Sequence, residues 1–170
     1  MPSSSRRPKL KPVDTWTDYQ TLFVGHLEAI NRAPMTIRTY TIALEQLIEF
    51  MRPRGLLGPE AVTRDDMTEW LRYLARTGPE GRGLAPASVA QRYRSIQAFF
   101  KFMVKQEGMD ESPLNGIEQP KVPEPLVPVV SENDLQKLMN SVSGKSFEAR
   151  RDRAIISLFI DTGARLAEVA

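Results

Sequence analysis

The run Thr162-Gly163-Ala164-Arg165-Leu166-Ala167-Glu168-Val169 places a glycine, an arginine and a glutamate where two helices should meet. Gly163 is suited to end the helix before it, because glycine takes the left-handed conformation that closes helices. Arg165 then falls near the start of the next one. A helix N-terminus offers unpaired N–H groups and partial positive charge, and a guanidinium adds a planar fork matching two phosphate oxygens. The pattern therefore suits the binding of a phosphate. The same spacing also describes an ordinary Arg165–Glu168 pair at i,i+3, worth only tenths of a kcal/mol on a surface. Spacing alone leaves both readings open.

A second group forms a basic stripe. Arg94, Ala98, Lys101 and Lys105 follow one another at intervals of four, three and four, which stacks them on one face of a helix, with Gln91 and Arg92 at its start. Such a stripe is either a DNA contact or a solvated charged face. Thr36, Arg38 and Thr39 sit at a second helix start, a place suited to phosphate contact. Glu45 and Glu49 make the rest of that helix face acidic, so only its first turn is a candidate. Arg6, Arg7, Lys9 and Lys11 crowd an N-terminal arm containing Pro and Ser, with too little apolar surface to fold on. That arm is either a solubilising tail or a further DNA contact.

Composition excludes other chemistries. With no cysteine there are no disulfides and no thiolate metal sites, and the single His26 leaves little for histidine-based metal or acid–base chemistry. No metal or cofactor is expected. A 41% apolar and 26% charged chain with net charge +2 is ordinary for a folded globular protein. No apolar run approaches the roughly 18 residues needed to span a bilayer, and the basic N-terminus lacks a signal peptide's apolar stretch, so no membrane partner and a cytoplasmic location are expected.

The elements that must position these residues are helices, because apolar residues repeat at three and four rather than at two. Thr15 with Asp18 reads as a capping box opening a helix with Trp16, Tyr19, Leu22, Phe23, Leu27 and Ile30 on its inner face, ended by Pro34. A second helix starts at Thr36 and buries Ile37, Tyr40, Leu44, Leu47, Ile48 and Met51. Thr63 with Asp66 caps a third, carrying Met67, Trp70, Leu71 and Leu74. Pro86 opens a fourth, with Val89, Tyr93, Ile96, Phe100 and Met103 inward.

These four should close into a bundle over residues 14–108, after the arm at 1–13. Pro120, Pro123, Pro125 and Pro128 argue for an extended linker over 109–130. Ser131 and Asp134 then cap a helix with Leu135, Leu138 and Met139. A further helix from about 148 to 161 is apolar nearly all round in its second half, which calls for burial that ten more residues are not expected to supply. The segment 131–170 thus reads as the unfinished start of a second domain.

The Thr162–Val169 run resembles the motif around the first catalytic arginine of tyrosine recombinases, the phage integrases and Xer-like resolvases, commonly T-G-x-R-x-x-E. Arg151-Asp152-Arg153-Ala154 is similar to that family's R-D-x-A lead-in, and the Pro-rich stretch ending in Val130-Ser131-Glu132 resembles its interdomain join. Thr36-Ile37-Arg38-Thr39-Tyr40 and Ser88-Val89-Ala90-Gln91-Arg92-Tyr93 sit where the family's core-binding domain has two helix starts. The resemblance covers nearly all of the chain after the arm, though only the T-G-x-R-x-x-E run is highly specific.

The resemblance implies an all-α chain, with a four-helix SAM-like core-binding bundle, a linker and the truncated, mainly helical start of a catalytic domain. It implies that Arg165 is the first catalytic arginine, that Glu168 buttresses it and that Asp152 is structural. It implies double-stranded DNA as partner, gripped partly by bundle helices lying toward the major groove. Ala167, where relatives often have Ser or Gly, is a mild departure. The family's nucleophilic tyrosine, second arginine, lysine and His or Trp partners are expected beyond residue 170. Tyr19, Tyr40, Tyr73 and Tyr93 all precede the linker and read as core or interface aromatics. The chain alone should be inert and monomeric, whereas the complete protein is expected to break and rejoin DNA through a 3′-phosphotyrosine as a tetramer. Two other readings compete with it: a stand-alone helical DNA-binding regulator, and an interaction module whose apolar C-terminal helix docks on a partner.

Overall fold

The computed structural model describes residues 14–124 and 129–169. It forms two compact units, Met1–Pro123 and Glu124–Ala170. No strand occurs among the described residues. The basic residues of the N-terminal arm, together with Pro125 and Pro128, lie outside them.

The first unit contains α1 (Trp16–Ala29), α2 (Pro34–Met51), α3 (Arg64–Arg76) and α4 (Pro86–Gln106), with 3₁₀ turns at Arg52–Arg54 and Pro59–Ala61. Helix α4 packs against both α2 and α3, and α1 against α2. Its place at the centre follows from its residues: Phe99, Phe100, Phe102 and Met103 bury themselves on adjoining faces. Phe99 meets Phe23 edge-on at 5.4 Å, Phe100 at 5.2 Å and Trp16 at 6.4 Å. Such aromatic groups dominate core energetics because each removes a large apolar area from water.

Local signals decide the helix ends, with two departures from expectation. The reciprocal box of α3 forms: Asp66 N–H donates to Thr63 Oγ1 at 3.3 Å and Thr63 N–H to Asp66 Oδ2 at 2.8 Å. The expected Thr15–Asp18 box does not. Thr15 has helical backbone angles, and its N–H goes to the Leu57 carbonyl at 2.8 Å. Asp14 caps instead, accepting from Trp16 N–H at 3.1 Å while Arg52 grips it at 2.7 Å and holds its carboxyl below the ordinary range. Pro34 likewise does not close α1, which stops at Ala29; it opens α2, two residues ahead of the expected Thr36. A proline lacks the N–H that a first helical residue cannot use anyway, so it serves a start as well as a stop.

Leu22 on α1 and Ile30 just after it, both expected inside, are 50% and 47% exposed. The buried line of α1 runs through Trp16, Phe23 and Leu27 instead. Residues just after α4, expected to begin an extended linker, fold back: Leu114 is buried in the core, and the Tyr93 hydroxyl donates to the Ile117 carbonyl at 2.8 Å. Gly78 permits the α3–α4 turn with a left-handed φ of +60°, where a Cβ would strike the Arg82 carbonyl.

The second unit contains α5 (Glu132–Ser141), α6 (Phe147–Thr162) and the short α7 (Leu166–Val169). Ser131 caps α5 by accepting from Asp134 N–H at 3.1 Å, and Gly163 closes α6 at φ +63°. Neither α5 nor α6 has a buried residue, in keeping with the expectation that the burial α6 calls for is not supplied within this segment.

Candidate nucleic-acid interface

The basic stripe on α4 forms as the spacing requires. Arg94, Lys101 and Lys105 are exposed, and among the described residues neither lysine has a carboxylate within salt-bridge reach. Arg94 donates to Gln91 Oε1 at 3.0 Å, which steers the guanidinium along the helix surface. Arg92 is placed differently. Its Nε donates to Gln46 Oε1 of α2 at 2.7 Å, and partial burial lowers its pKa from the ordinary arginine value. It therefore ties α2 to α4 more than it faces solvent.

Two grooves flank the stripe. On one side Arg94, Lys101 and Lys105 share a groove with Asp110 and Glu111, which the fold-back after α4 brings alongside. Those carboxylates weaken the positive field there. On the other side Lys101 and Lys105 share a groove with His26 and Arg32, and no carboxylate lines it. His26 and Arg32 were not legible as part of this surface because the lysines lie far along the chain; only tertiary structure joins them.

The first turn of α2 is mixed. Arg38 is exposed and Thr36 and Thr39 are half-buried. The Thr39 hydroxyl donates to the Met35 carbonyl at 2.8 Å, and Thr36 N–H is taken by the Ala33 carbonyl at 2.8 Å. With Pro34 carrying no N–H, that turn has few free donors, and Arg38 is its main cationic group. Arg38 and Arg32 line a further groove with Glu28 and Glu45.

In the second unit, Arg165 stands just before α7 with its side chain 86% exposed. Glu168 holds it twice, accepting from its backbone N–H at 2.8 Å and from Nη1 at 3.2 Å. The rest of the fork points to solvent and can take an anion. Asp152 pairs with neighbouring Arg151 at 2.7 Å. The four tyrosines lie in the bundle. Tyr40 stacks on Phe23, Tyr73 packs at a tilt against Phe50, and Tyr93 is buried. Hydrogen bonding to Glu60, then burial, pushes the Tyr19 pKa up to about 12, away from phenolate chemistry. Among the described residues no cluster of His, Asp or Glu is arranged to hold a metal, and no helix is long and apolar enough to cross a membrane.

A bundle of this helical class matches the family described as phage integrase, N-terminal SAM-like domain, over residues 21–107. Tyrosine recombinase XerC of Myxococcus xanthus is 32% identical over 152 residues, covering 86% of this chain and 47% of the relative. XerC of Bacillus pumilus is 26% identical over 149 residues, with 87% and 47% covered. XerD of Listeria innocua is 27% identical over 135 residues, with 79% and 44% covered. The chain belongs to the tyrosine recombinase family and corresponds to its N-terminal, SAM-like region. It spans about half the length of the relatives it matches. No solved structure matches it.

Proposed function

We propose that the bundle binds double-stranded DNA through the exposed face of α4, with Arg94, Lys101 and Lys105 neutralising phosphates and Gln91, Arg38, Thr36 and Thr39 at its margin. The observation that supports it best is the pair Lys101 and Lys105, set one helical turn apart on a family-defined bundle with no acidic partner among the described residues. Arg92 contributes by fixing α2 against α4. Most of the affinity is electrostatic, weak in sequence preference and steep in salt.

Residues from 131 onward begin the catalytic domain on this reading. Arg165 grips the scissile phosphate there and stabilises the charge gained in the transition state, while Glu168 fixes it and Asp152 supports the preceding helix. The complete protein, tetrameric on DNA and acting in the cytoplasm, cuts and rejoins strands through a 3′-phosphotyrosine. The present residues do not perform that reaction alone, since one arginine supplies neither nucleophile nor leaving-group acid.

The test is duplex binding by the 170-residue chain across a salt series, compared with a variant carrying Arg94→Ala, Lys101→Ala and Lys105→Ala. Loss of three phosphate contacts lowers the log–log salt slope by about 2.7, at about 0.9 per contact. An unchanged slope, or no binding by the parent chain, overturns the proposal.

A further inference from the structure

The carboxylate-free groove beside α4 holds the sole histidine of the sequence. His26 projects from α1 with its ring tilted against Phe102 at 5.0 Å, half-buried, so its position is fixed by packing while one side stays open. The cations around it come from elements distant in sequence: Lys101 and Lys105 from α4, and Arg32 from the α1–α2 turn. Tyr40 of α2 is the remaining titratable group in the lining. Three fixed positive charges and one imidazole around an open groove form a seat for a single doubly liganded anion, since phosphate oxygens accept several charge-assisted bonds at once.

Resting on the DNA-binding reading above, we propose that this groove seats one backbone phosphate and that His26 contacts it, making the affinity of the bundle for DNA rise as pH falls. Histidine is the side chain whose charge ordinarily changes between about pH 5 and 8. A phosphate brought against it favours the imidazolium, so binding takes up a proton; linkage then gives stronger binding on the acid side and weaker binding on the alkaline side. Lysine and arginine side chains as a class keep their charge across that range, so the histidine is the source of the expected pH dependence. The opposite groove, where Asp110 and Glu111 face the same lysines, has no histidine in its lining.

The experiment measures duplex affinity of the full chain at about pH 6 and about pH 8, the window in which an imidazole changes charge. His26→Gln keeps a hydrogen-bonding side chain of similar reach but does not titrate, and circular dichroism checks that it folds. The parent chain is expected to bind roughly three-fold tighter at the lower pH, the scale of one exposed charge contact. His26→Gln is expected to bind equally at both, with a salt slope close to that of the parent chain, because Lys101, Lys105 and Arg32 still neutralise the same phosphate. Equal pH dependence in parent and variant overturns the role of His26. If that happens while the triple α4 variant still loses its salt slope, the histidine seat alone fails; if the parent chain does not bind duplex at all, the DNA-binding reading fails with it.

Discussion

Both units carry apolar residues at helical spacing, and they use them in opposite ways. In Met1–Pro123, Trp16, Phe23, Leu44, Trp70 and Phe99 converge from four helices and are almost fully enclosed. In Glu124–Ala170, Ile155, Leu158 and Ile160 on α6 each remain more than 40% exposed. Periodicity tells which face of a helix is apolar. Whether that face is covered depends on how many other helices reach it, and α5 with α7 gives α6 too few. The chemistry divides the same way: the α4 stripe is carried on an element locked by its core, while Arg165 depends on a two-point hold by Glu168.

The difference predicts unequal sensitivity to truncation of apolar side chains. Phe99→Ala should destabilise the bundle by about 3–5 kcal/mol in denaturant unfolding, because an enclosed aromatic leaves a cavity. Leu158→Ala on α6 should change unfolding by no more than about 0.5 kcal/mol, the scale of a surface substitution. A large loss at Leu158 would break the comparison by showing that α6 is covered in solution.

An effect between these two sharpens it. Thr63→Ala removes the acceptor for Asp66 N–H and one half of the reciprocal box at the start of α3, costing about 1 kcal/mol of bundle stability in the same measurement. No change there would mean that packing against α4 alone sets the start of α3.

The signals that survived folding were those complete within a few residues. Thr63 with Asp66, Pro86 at the start of α4, Ser131 ahead of α5 and Gly163 after α6 carry their own geometry, so spacing was enough to read them. Thr15 with Asp18 failed because a partner 38 positions along, Arg52, holds Asp14 in the capping place. Pro34 misled because proline suits either side of a helix boundary. Leu22 and Ile30 had the right period and no neighbour to cover them.

Of the candidate interface, the α4 stripe was legible because one helix supplies it all. Its setting was not, since Asp110 and Glu111 reach one side only by the fold-back, and His26 and Arg32 reach the other only by the packing of α1 and α2. Arg92 reads in sequence as a further contact flanking the start of the stripe, but its partner Gln46 lies 46 positions away.

The central claim is that DNA lies on the α4 face, and lysine footprinting tests it with an internal reference. Acylation of the chain with and without a saturating duplex should show Lys101 and Lys105 protected by DNA, and Lys137, which pairs with Asp134 at 3.0 Å on α5, protected much less. Equal reactivity of Lys101 and Lys105 in the presence and absence of bound duplex would contradict the account.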